Sequence, residues 1–152
     1  MIPKNPFTLI INGGLVDSTL KAIAGSYLPN YEIQVTSGYR NEQKNKAVGG
    51  AADSAHMYNL ARDFVLINKA TGQIASDAEM KKIYTSYIKP YWEGYSMFTP
   101  KQPHTNTGWI HVNLDRSISE NVKWIAYAAT AAAVGVGIKE IWKHIKLNKK
   151  GR

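Results

Sequence analysis

The amino-acid sequence predicts an α+β domain with a small antiparallel sheet and flanking helices, followed by a C-terminal apolar helix. Helix-like and strand-like segments are mixed irregularly, without the strand–helix–strand repeat that builds a parallel sheet. The length of 152 residues suits one compact domain with an appendage. The apolar run over residues 124–138 contains no charged residue. We therefore expect a domain over residues 1–119 and a helix with a basic tail over residues 120–152.

The composition narrows the kinds of site and partner. Apolar residues make up 44% of the chain, which fits a folded protein. The lack of cysteine excludes disulfides and cysteine-ligated metals, so a zinc site would need histidine and carboxylate ligands. The net charge of +8 is concentrated in residues 139–152, where six basic residues face only Glu140, so the rest of the chain carries only +3. Nucleic acid is therefore not the expected partner.

The first segments predict strand, helix, strand and helix in that order. The apolar run 7–11 is β-prone and ends at a turn-forming Asn-Gly-Gly sequence, residues 12–14. Residues 19–24 fit a short helix that the next glycine ends. Apolar and polar residues alternate over 31–36, which predicts a strand. The polar stretch 41–50 predicts a short helix that ends at its Gly–Gly pair.

The following segments predict a buried strand, a helix and two further strands. The short apolar run within residues 60–67 predicts the buried strand. Residues 76–88 predict a helix that opens with a Ser-x-x-Glu capping box. Residues 91–98 and 109–114 predict the last two strands. The apolar face of the predicted helix consists of Met80, Ile83, Tyr84, Tyr87 and Ile88.

The apolar segment near the C-terminus has features of a membrane anchor. Trp124 and Trp142 are eighteen residues apart, or roughly 27 Å along a helix, close to the ~30 Å thickness of a bilayer core. Tryptophans suit the two membrane interfaces, and Lys123 and Lys139 can reach outward. We expect residues 122–142 to span a membrane; the alternatives are a helix lying on a membrane or partner and a helix buried in the core.

Two histidines and one aspartate are candidate metal ligands. Three protein ligands of these types leave a fourth position on zinc for water. His56 and Asp63 are seven positions apart, which places them on one side of a helix because two turns take ~7.2 residues. A loop-to-strand turn would also bring them together. His111 lies on the last predicted strand. Spacing alone permits a metal site without establishing one.

A specific pattern surrounds these residues. Residues 54–63, Ser-Ala-His-Met-Tyr-Asn-Leu-Ala-Arg-Asp, resemble the S-x-H-x-x-G-x-A-x-D signature of the zinc D-alanyl-D-alanine carboxypeptidase and endopeptidase family, which includes many phage endolysins. Residues 37–40, Ser-Gly-Tyr-Arg, are similar to the segment before that signature. Residues 109–112, Trp-Ile-His-Val, are similar to the family's closing histidine strand. The matches cover roughly residues 31–115 in the family's order.

The resemblance implies a role for each matching residue. Arg40 would stabilise the tetrahedral oxyanion or hold a substrate carboxylate. Ser54 would hydrogen-bond the substrate or groups behind the ligands, or else the local backbone. Tyr58 and Trp109 would form walls of a cleft for an extended peptide. The implied ligands of one zinc ion are His56, Asp63 and His111.

Three positions depart from the family's pattern. The signature's glycine is Asn59 here, and asparagine tolerates the positive φ that such a turn needs. Many relatives carry a general base three residues before the last histidine, where this chain has Gly108. Others carry aspartate two residues after it, where this chain has Asn113. An amide cannot accept a proton at neutral pH, so another residue must be the base.

Glu93 is the first candidate for the general base. It lies on the predicted strand before His111, so a cross-strand position could bring it near the metal. Asp115 is the second candidate and could instead support Arg116. His104 is the third, on a loop that could fold over the cleft.

These observations predict a zinc-dependent peptidase that hydrolyses peptide bonds of bacterial peptidoglycan, as a D,D-carboxypeptidase or an endopeptidase. The apolar helix would anchor it in a membrane, with the domain facing the cell wall. The resemblance to lysins fits a phage-encoded lysis enzyme or a virion component. The alternative is a catalytically impaired module that keeps the fold and acts as a structural or cell-wall-binding protein of a virion or membrane.

Overall fold

The computed structural model describes residues 6–92 and 94–115. These residues confirm the α+β class, with one four-stranded antiparallel sheet. The elements in chain order are helix α1 (Pro6–Tyr27), strand β1 (Tyr31–Ser37), helix α2 (Glu42–Ala47), a 3₁₀ turn (Ala55–Tyr58), strand β2 (Ala61–Asn68), helix α3 (Asp77–Ile83) with a π-helical extension (Tyr84–Ile88), strand β3 (Tyr95–Thr99) and strand β4 (Trp109–Asn113). The order of strands in the sheet is β1-β2-β4-β3. The strands predicted over 31–36 and 109–114 are therefore confirmed to within one residue, and the buried strand predicted within 60–67 is β2.

The register of the sheet aligns one residue from each strand in a row. Ser37 of β1 pairs with Asp63 of β2, and Asp63 pairs with His111 of β4. His111 in turn pairs with Met97 of β3. A β-bulge between Val35 and Ser37 shifts the register of β1 just before this row. Because paired residues point to the same face of a sheet, the row brings Asp63 and His111 side by side.

The other face of the sheet packs against helices α1 and α3. Fully burying a Val, Leu, Ile, Phe or Met side chain contributes roughly 1.5–3 kcal/mol to the free energy of unfolding. The apolar layer between the sheet and the helices therefore supplies the main stabilisation of the domain. The buried side chains of the sheet include Phe64, Leu66, Ile110 and Val112, and Leu114 is buried just after β4. Those of the helices include Val16, Leu20, Ile23, Met80, Ile83 and Ile88.

Residues 7–11 belong to helix α1, so the prediction of a strand there and of a turn at 12–14 is wrong. The helix also continues past the predicted end at Gly25 to Tyr27. Tertiary contacts override local propensity here, because one stripe of the helix packs on the sheet. The buried residues of that stripe recur with helical spacing and are Asn12, Val16, Leu20 and Ile23.

The strand predicted over 91–98 begins only at Tyr95. Trp92 is buried before the strand, and its indole Nε1 donates a hydrogen bond to the carbonyl of Asn113 at 3.1 Å. Gly94 follows with a φ of 146°, and a side chain at this position would collide with the same carbonyl oxygen. The hydrogen-bonded indole of Trp92 and the positive φ of Gly94 therefore keep these two residues out of the strand, which begins at Tyr95.

A reciprocal capping box opens helix α3, as the sequence predicts. The backbone N–H of Glu79 donates to Ser76 Oγ at 3.3 Å, and the backbone N–H of Ser76 donates to Glu79 Oε2 at 3.0 Å. These hydrogen bonds satisfy donors that the first helical turn would otherwise leave without partners. The backbone N–H and the hydroxyl of Ser76 also hold the pKa of Glu79 below its ordinary value.

We expect Ser76→Ala to lower the free energy of unfolding by about 1 kcal/mol, because α3 loses its cap. Chemical denaturation followed by circular dichroism measures this change. Ser26→Ala, at the exposed end of α1, is the matched control and should change the stability by less than about 0.5 kcal/mol. A Ser76→Ala variant as stable as the wild type would contradict the capping role.

The described residues belong to one compact unit that ends at Asp115. The predicted domain end at residue 119 and the predicted anchor, residues 122–142, lie outside the described residues. Within residues 6–92 and 94–115, no helix has the length and apolar character needed to cross a membrane.

Candidate metal centre

His56 is buried in the 3₁₀ turn, with only 3% of its surface exposed. Its Nδ1 lies 2.7 Å from the carbonyl oxygen of Gly38, and its own carbonyl accepts the backbone N–H of Arg40 at 3.1 Å. Because a carbonyl can only accept, Nδ1 carries a proton, and Nε2 is the nitrogen left to face Asp63 and to bind a metal ion. Asn59 ends the turn with a φ of 56°, which confirms that asparagine adopts the positive φ expected at the signature's glycine.

Asp63 joins the two histidines. Its Oδ2 lies 3.3 Å from His56 Nε2, and its Oδ1 lies 2.6 Å from His111 Nδ1. One ligand atom from each of the three residues can be chosen so that all lie within 4.8 Å of one another. The fold therefore gathers the three residues that the sequence predicts as metal ligands.

The three side chains fit a zinc ion in both chemistry and spacing. Zinc binds nitrogen and oxygen at ~2.0–2.2 Å, so two ligands of a tetrahedral ion lie roughly 3.3–3.5 Å apart. The distance between His56 Nε2 and Asp63 Oδ2 matches that separation. The contact between His111 and Asp63 is shorter and has the length of a hydrogen bond, so these two atoms would separate slightly to share an ion.

Asn113 orients the second histidine from behind. Its Oδ1 lies 3.1 Å from His111 Nε2, and its Nδ2 donates to the carbonyl of Leu114 at 3.4 Å. With the amide oriented in this way, Nε2 donates to Asn113, and Nδ1 is the nitrogen that faces Asp63, where a metal ion would replace the proton that Nδ1 shares with the carboxylate. Ligating histidines commonly donate their outer N–H to an oxygen, which fixes the tautomer and the ring. The position where some relatives carry a carboxylate thus serves to orient a ligand here.

We expect Asn113→Leu to raise the zinc dissociation constant by ~10–100-fold, because His111 loses the acceptor that fixes its ring. Competition with a chromophoric chelator measures the constant. Asn106→Leu, on the exposed β3–β4 loop, is the control and should bind zinc as the wild type does. An unchanged affinity in Asn113→Leu would remove Asn113 from the site.

Asp63 is the anionic centre of the cluster. Burial raises the pKa of its carboxyl, but the hydrogen bonds and positive charge that His111 and His56 provide outweigh burial and hold the pKa well below its ordinary value. The carboxylate is therefore ionised over the physiological pH range, as a metal ligand must be.

Arg40 binds the same carboxylate from the side of β1. Its Nη2 lies 2.7 Å from Asp63 Oδ2, and its Nε donates to Ser37 Oγ at 2.9 Å. The guanidinium is largely buried, with 16% of the side chain exposed. Ser37, which sequence reasoning did not single out, thus fixes the arginine at the edge of the site.

The predicted substrate-binding residues lie at the 3₁₀ turn that carries His56 and on the strand that carries His111. Ser54 precedes the 3₁₀ turn and makes no side-chain cap there, and half-buried Tyr58 ends that turn. Trp109 is half-buried two residues before His111, and therefore on the same face of β4.

Two residues of β3, Met97 and Tyr95, are exposed beside the site. The ring centroid of Tyr95 lies 6.0 Å from that of His111. Met97 was missed, because only the register places it opposite His111.

Glu93, the first candidate for the general base, lies outside the described residues. Its neighbours Trp92 and Gly94 both approach the carbonyl of Asn113, the residue that orients His111. Asp115 is exposed just beyond the end of β4.

At the opposite end of β4, neither His104 nor Gly108 supplies a carboxylate. His104 is exposed in the β3–β4 loop, which joins the strands where Thr99 pairs with Trp109. Gly108, at the position where many relatives carry the base, donates its N–H to Asp77 Oδ1 at 3.0 Å. A side chain at Gly108 would meet both that carboxylate and the carbonyl of Thr99. The fold therefore has no room for the relatives' carboxylate at this position.

A comparison with protein families extends these observations. The family model described as peptidase M15 matches residues 16–93, about half of the chain. The matched region contains Arg40, His56 and Asp63 and ends before His111, so the inclusion of His111 among the candidate ligands rests on the geometry and not on the family match. No curated protein matches the chain.

Proposed function

Because the chain belongs to the peptidase M15 family, that of the zinc D-alanyl-D-alanine carboxypeptidases, we propose that it hydrolyses peptide bonds of bacterial peptidoglycan. The observation that carries this proposal is the convergence of two imidazoles and one ionised carboxylate, of which His56 and Asp63 lie within the region that the family model matches. Three such ligands leave a position open for water and substrate. The bond cleaved would be that of a D,D-carboxypeptidase or of an endopeptidase acting on stems or cross-bridges.

Each residue of the site would have a separate role in hydrolysis. Zinc, when bound, supplies a Lewis acid that polarises the scissile carbonyl and activates water. Asp63 supplies the negative charge of the ligand set, and the carbonyl of Gly38 and the amide of Asn113 keep the imidazoles of His56 and His111 turned toward it. Arg40 holds Asp63 and offers its remaining N–H groups to the oxyanion or to a substrate carboxylate.

We assign the general base to Glu93. Its two neighbours in sequence lie against Asn113, whose side chain contacts His111. A carboxylate carried by this segment would take the proton from the attacking water and pass it to the leaving amine. Gly108 and Asn113, at the positions of the relatives' bases, have no carboxyl group. Asp115 is the second candidate.

The substrate peptide would lie on the face of the sheet that carries the ligands. Tyr95 and Met97 of the edge strand β3 expose 54% and 42% of their surface on one side of His111. Trp109 lies on the same face of β4. These side chains offer apolar walls on which an extended stem peptide can rest.

We further propose that residues 122–142 anchor the protein in a membrane, with the domain facing the cell wall, in a phage virion or an infected bacterium. The spacing of Trp124 and Trp142 and the flanking lysines support this proposal. Carbonate extraction of membranes that contain the full chain tests it. A spanning helix stays in the pellet, and release into the supernatant would contradict spanning.

Digestion of purified muropeptides tests the proposed activity. The zinc-loaded protein should shorten pentapeptide stems or cross-linked muropeptides, as detected by mass spectrometry. A chelator should abolish cleavage and added zinc should restore it, because the ligands remain intact. A protein that holds zinc but cleaves neither substrate would instead be the non-catalytic module, which keeps the metal fold without a working base.

A further inference from the structure

We propose that Asn59 and Arg62 are positioning residues, which dock the segment carrying His56 and Asp63 onto helix α1 and thereby strengthen metal binding. Neither residue is one of the three ligands. The inference builds on the proposed zinc site, but it concerns contacts on the far side of the segment, and these exist without the metal.

Asn59 adds two hydrogen bonds to the turn that it ends. Its Nδ2 donates to the carbonyl of Leu9 in α1 at 2.8 Å, and its Oδ1 accepts Nη1 of Arg62 at 2.8 Å. The backbone N–H of Asn59 also donates to the carbonyl of His56 at 3.2 Å. A glycine could adopt the same φ but could form neither side-chain bond. The substitution in the family's signature therefore creates a link between His56 and the first helix.

Arg62 forms the second link. Its Nε and Nη2 bind the two carboxylate oxygens of Asp17 in α1 at 2.8 and 3.0 Å, and its Nη1 also donates to the carbonyl of Ala61 at 2.8 Å. The residue is only 6% exposed, and a buried guanidinium needs such partners. Successive side chains of a strand point to opposite faces. Arg62 therefore contacts the helix while the adjacent Asp63 faces the metal.

The surface of α1 is shaped for this contact. Buried Asn12 donates to the carbonyl of Tyr58 at 2.8 Å, so the helix binds the last residue of the 3₁₀ turn as well. A side chain at Gly13 would collide with the side-chain amide of Asn59 and come within 3.1 Å of Arg62 Nη2. The absence of a side chain at Gly13 thus leaves the space that the side-chain amide of Asn59 occupies.

These links order the metal-binding segment before metal arrives. The 3₁₀ turn is only four residues long, and a short turn of this kind has few internal hydrogen bonds to hold His56 in place. Docking onto α1 fixes this segment in advance, so metal binding costs less conformational entropy. Groups that orient metal ligands without touching the metal typically change affinity by ~10–100-fold. We expect the loss of the Asn59 links to fall at the lower end, near tenfold.

Zinc affinity and amide hydrogen exchange of the Asn59→Gly variant test the proposal. The variant keeps the backbone turn and removes both side-chain bonds. Chelator competition should give a zinc dissociation constant about tenfold above that of the wild type. In the metal-free protein, residues 55–60 should exchange faster while β2 and β4 remain protected. Asn106→Gly, on the exposed β3–β4 loop, is the control and should change neither measurement.

A double substitution sharpens the test. Gly13→Ala alone should also weaken zinc binding, because the new methyl group pushes the amide of Asn59 away. In the Asn59→Gly background the severe clash with the amide is gone and only the close approach to Arg62 Nη2 remains, so Gly13→Ala should cost much less further affinity. Such non-additivity identifies a direct contact between the two positions. Additive effects would overturn the proposed link.

The remaining outcomes separate this inference from the proposed function. Wild-type affinity and exchange in Asn59→Gly would overturn the positioning role while leaving the zinc site intact. A wild type that binds no zinc would contradict the proposed function, and the exchange experiment would still decide whether Asn59 orders the segment. If Asn59→Gly unfolds, Asn59→Asp replaces it. That variant keeps the acceptor for Arg62 but places a carboxylate oxygen where the amide donated to the carbonyl of Leu9, so it should also weaken zinc binding, and wild-type affinity would overturn the proposal.

Discussion

Asp63→Ala is expected to lose zinc and with it all detectable peptide cleavage. The carboxylate contacts His56, His111 and Arg40 at 3.3, 2.6 and 2.7 Å, so it is the group that joins the site. Its removal leaves two imidazoles beside a guanidinium whose charge then repels a divalent cation. The loss of affinity should exceed the ~100-fold that removal of a ligand-orienting group can cost.

Metal analysis after dialysis and muropeptide digestion measure both effects of Asp63→Ala. The matched control is Asp53→Ala, an exposed carboxylate in the loop before the 3₁₀ turn. It should retain zinc and activity. Zinc retained in Asp63→Ala at the wild-type level would show that the metal is bound elsewhere.

Glu93→Gln is expected to keep zinc and lose cleavage by ~10²–10⁴-fold, the range that a positioned general base contributes. The substitution keeps the size of the side chain but removes its ability to accept a proton. The segment around it should remain in place, because Trp92 and Gly94 pack against Asn113 through groups that the substitution does not change.

A steady-state rate for one muropeptide, measured at equal zinc content, decides the role of Glu93. Glu42→Gln, at the exposed start of α2, controls for the loss of a carboxylate elsewhere. Cleavage by Glu93→Gln at the wild-type rate would reject Glu93 as the base. Asp115→Asn and His104→Gln would then be the next variants to compare.

The parts of the fold with strong local signals could be predicted from sequence. Residues 31–36 alternate apolar and polar residues, and the capping box at Ser76 specifies its own hydrogen bonds. The three candidate metal ligands could also be selected, because the signature contains two of them and the closing strand contributes the third. The sheet register that joins Asp63 to His111 then follows from the antiparallel pairing of β2 and β4.

The first half of helix α1 could not be predicted, although residues 19–24 were, because its formation depends on contacts that are distant in sequence. An Asn-Gly-Gly sequence favours a turn locally, yet Asn12 and Gly13 are the residues that allow α1 to approach Tyr58 and Asn59. The link from Arg62 to Asp17 spans 45 positions and has no local signature. For the same reason the sequence indicates that Asn59 can adopt the turn, but not that its side chain binds the helix.

X-ray absorption at the zinc edge of the purified, zinc-loaded protein tests the central claim most directly. The proposed site predicts one zinc per chain, with nitrogen and oxygen neighbours at ~2.0–2.2 Å and the multiple-scattering pattern of two imidazoles. His111→Ala should remove one imidazole from that pattern. A spectrum in which the imidazole count does not change on this substitution, or which lacks imidazole altogether, would contradict a zinc site built from His56, Asp63 and His111.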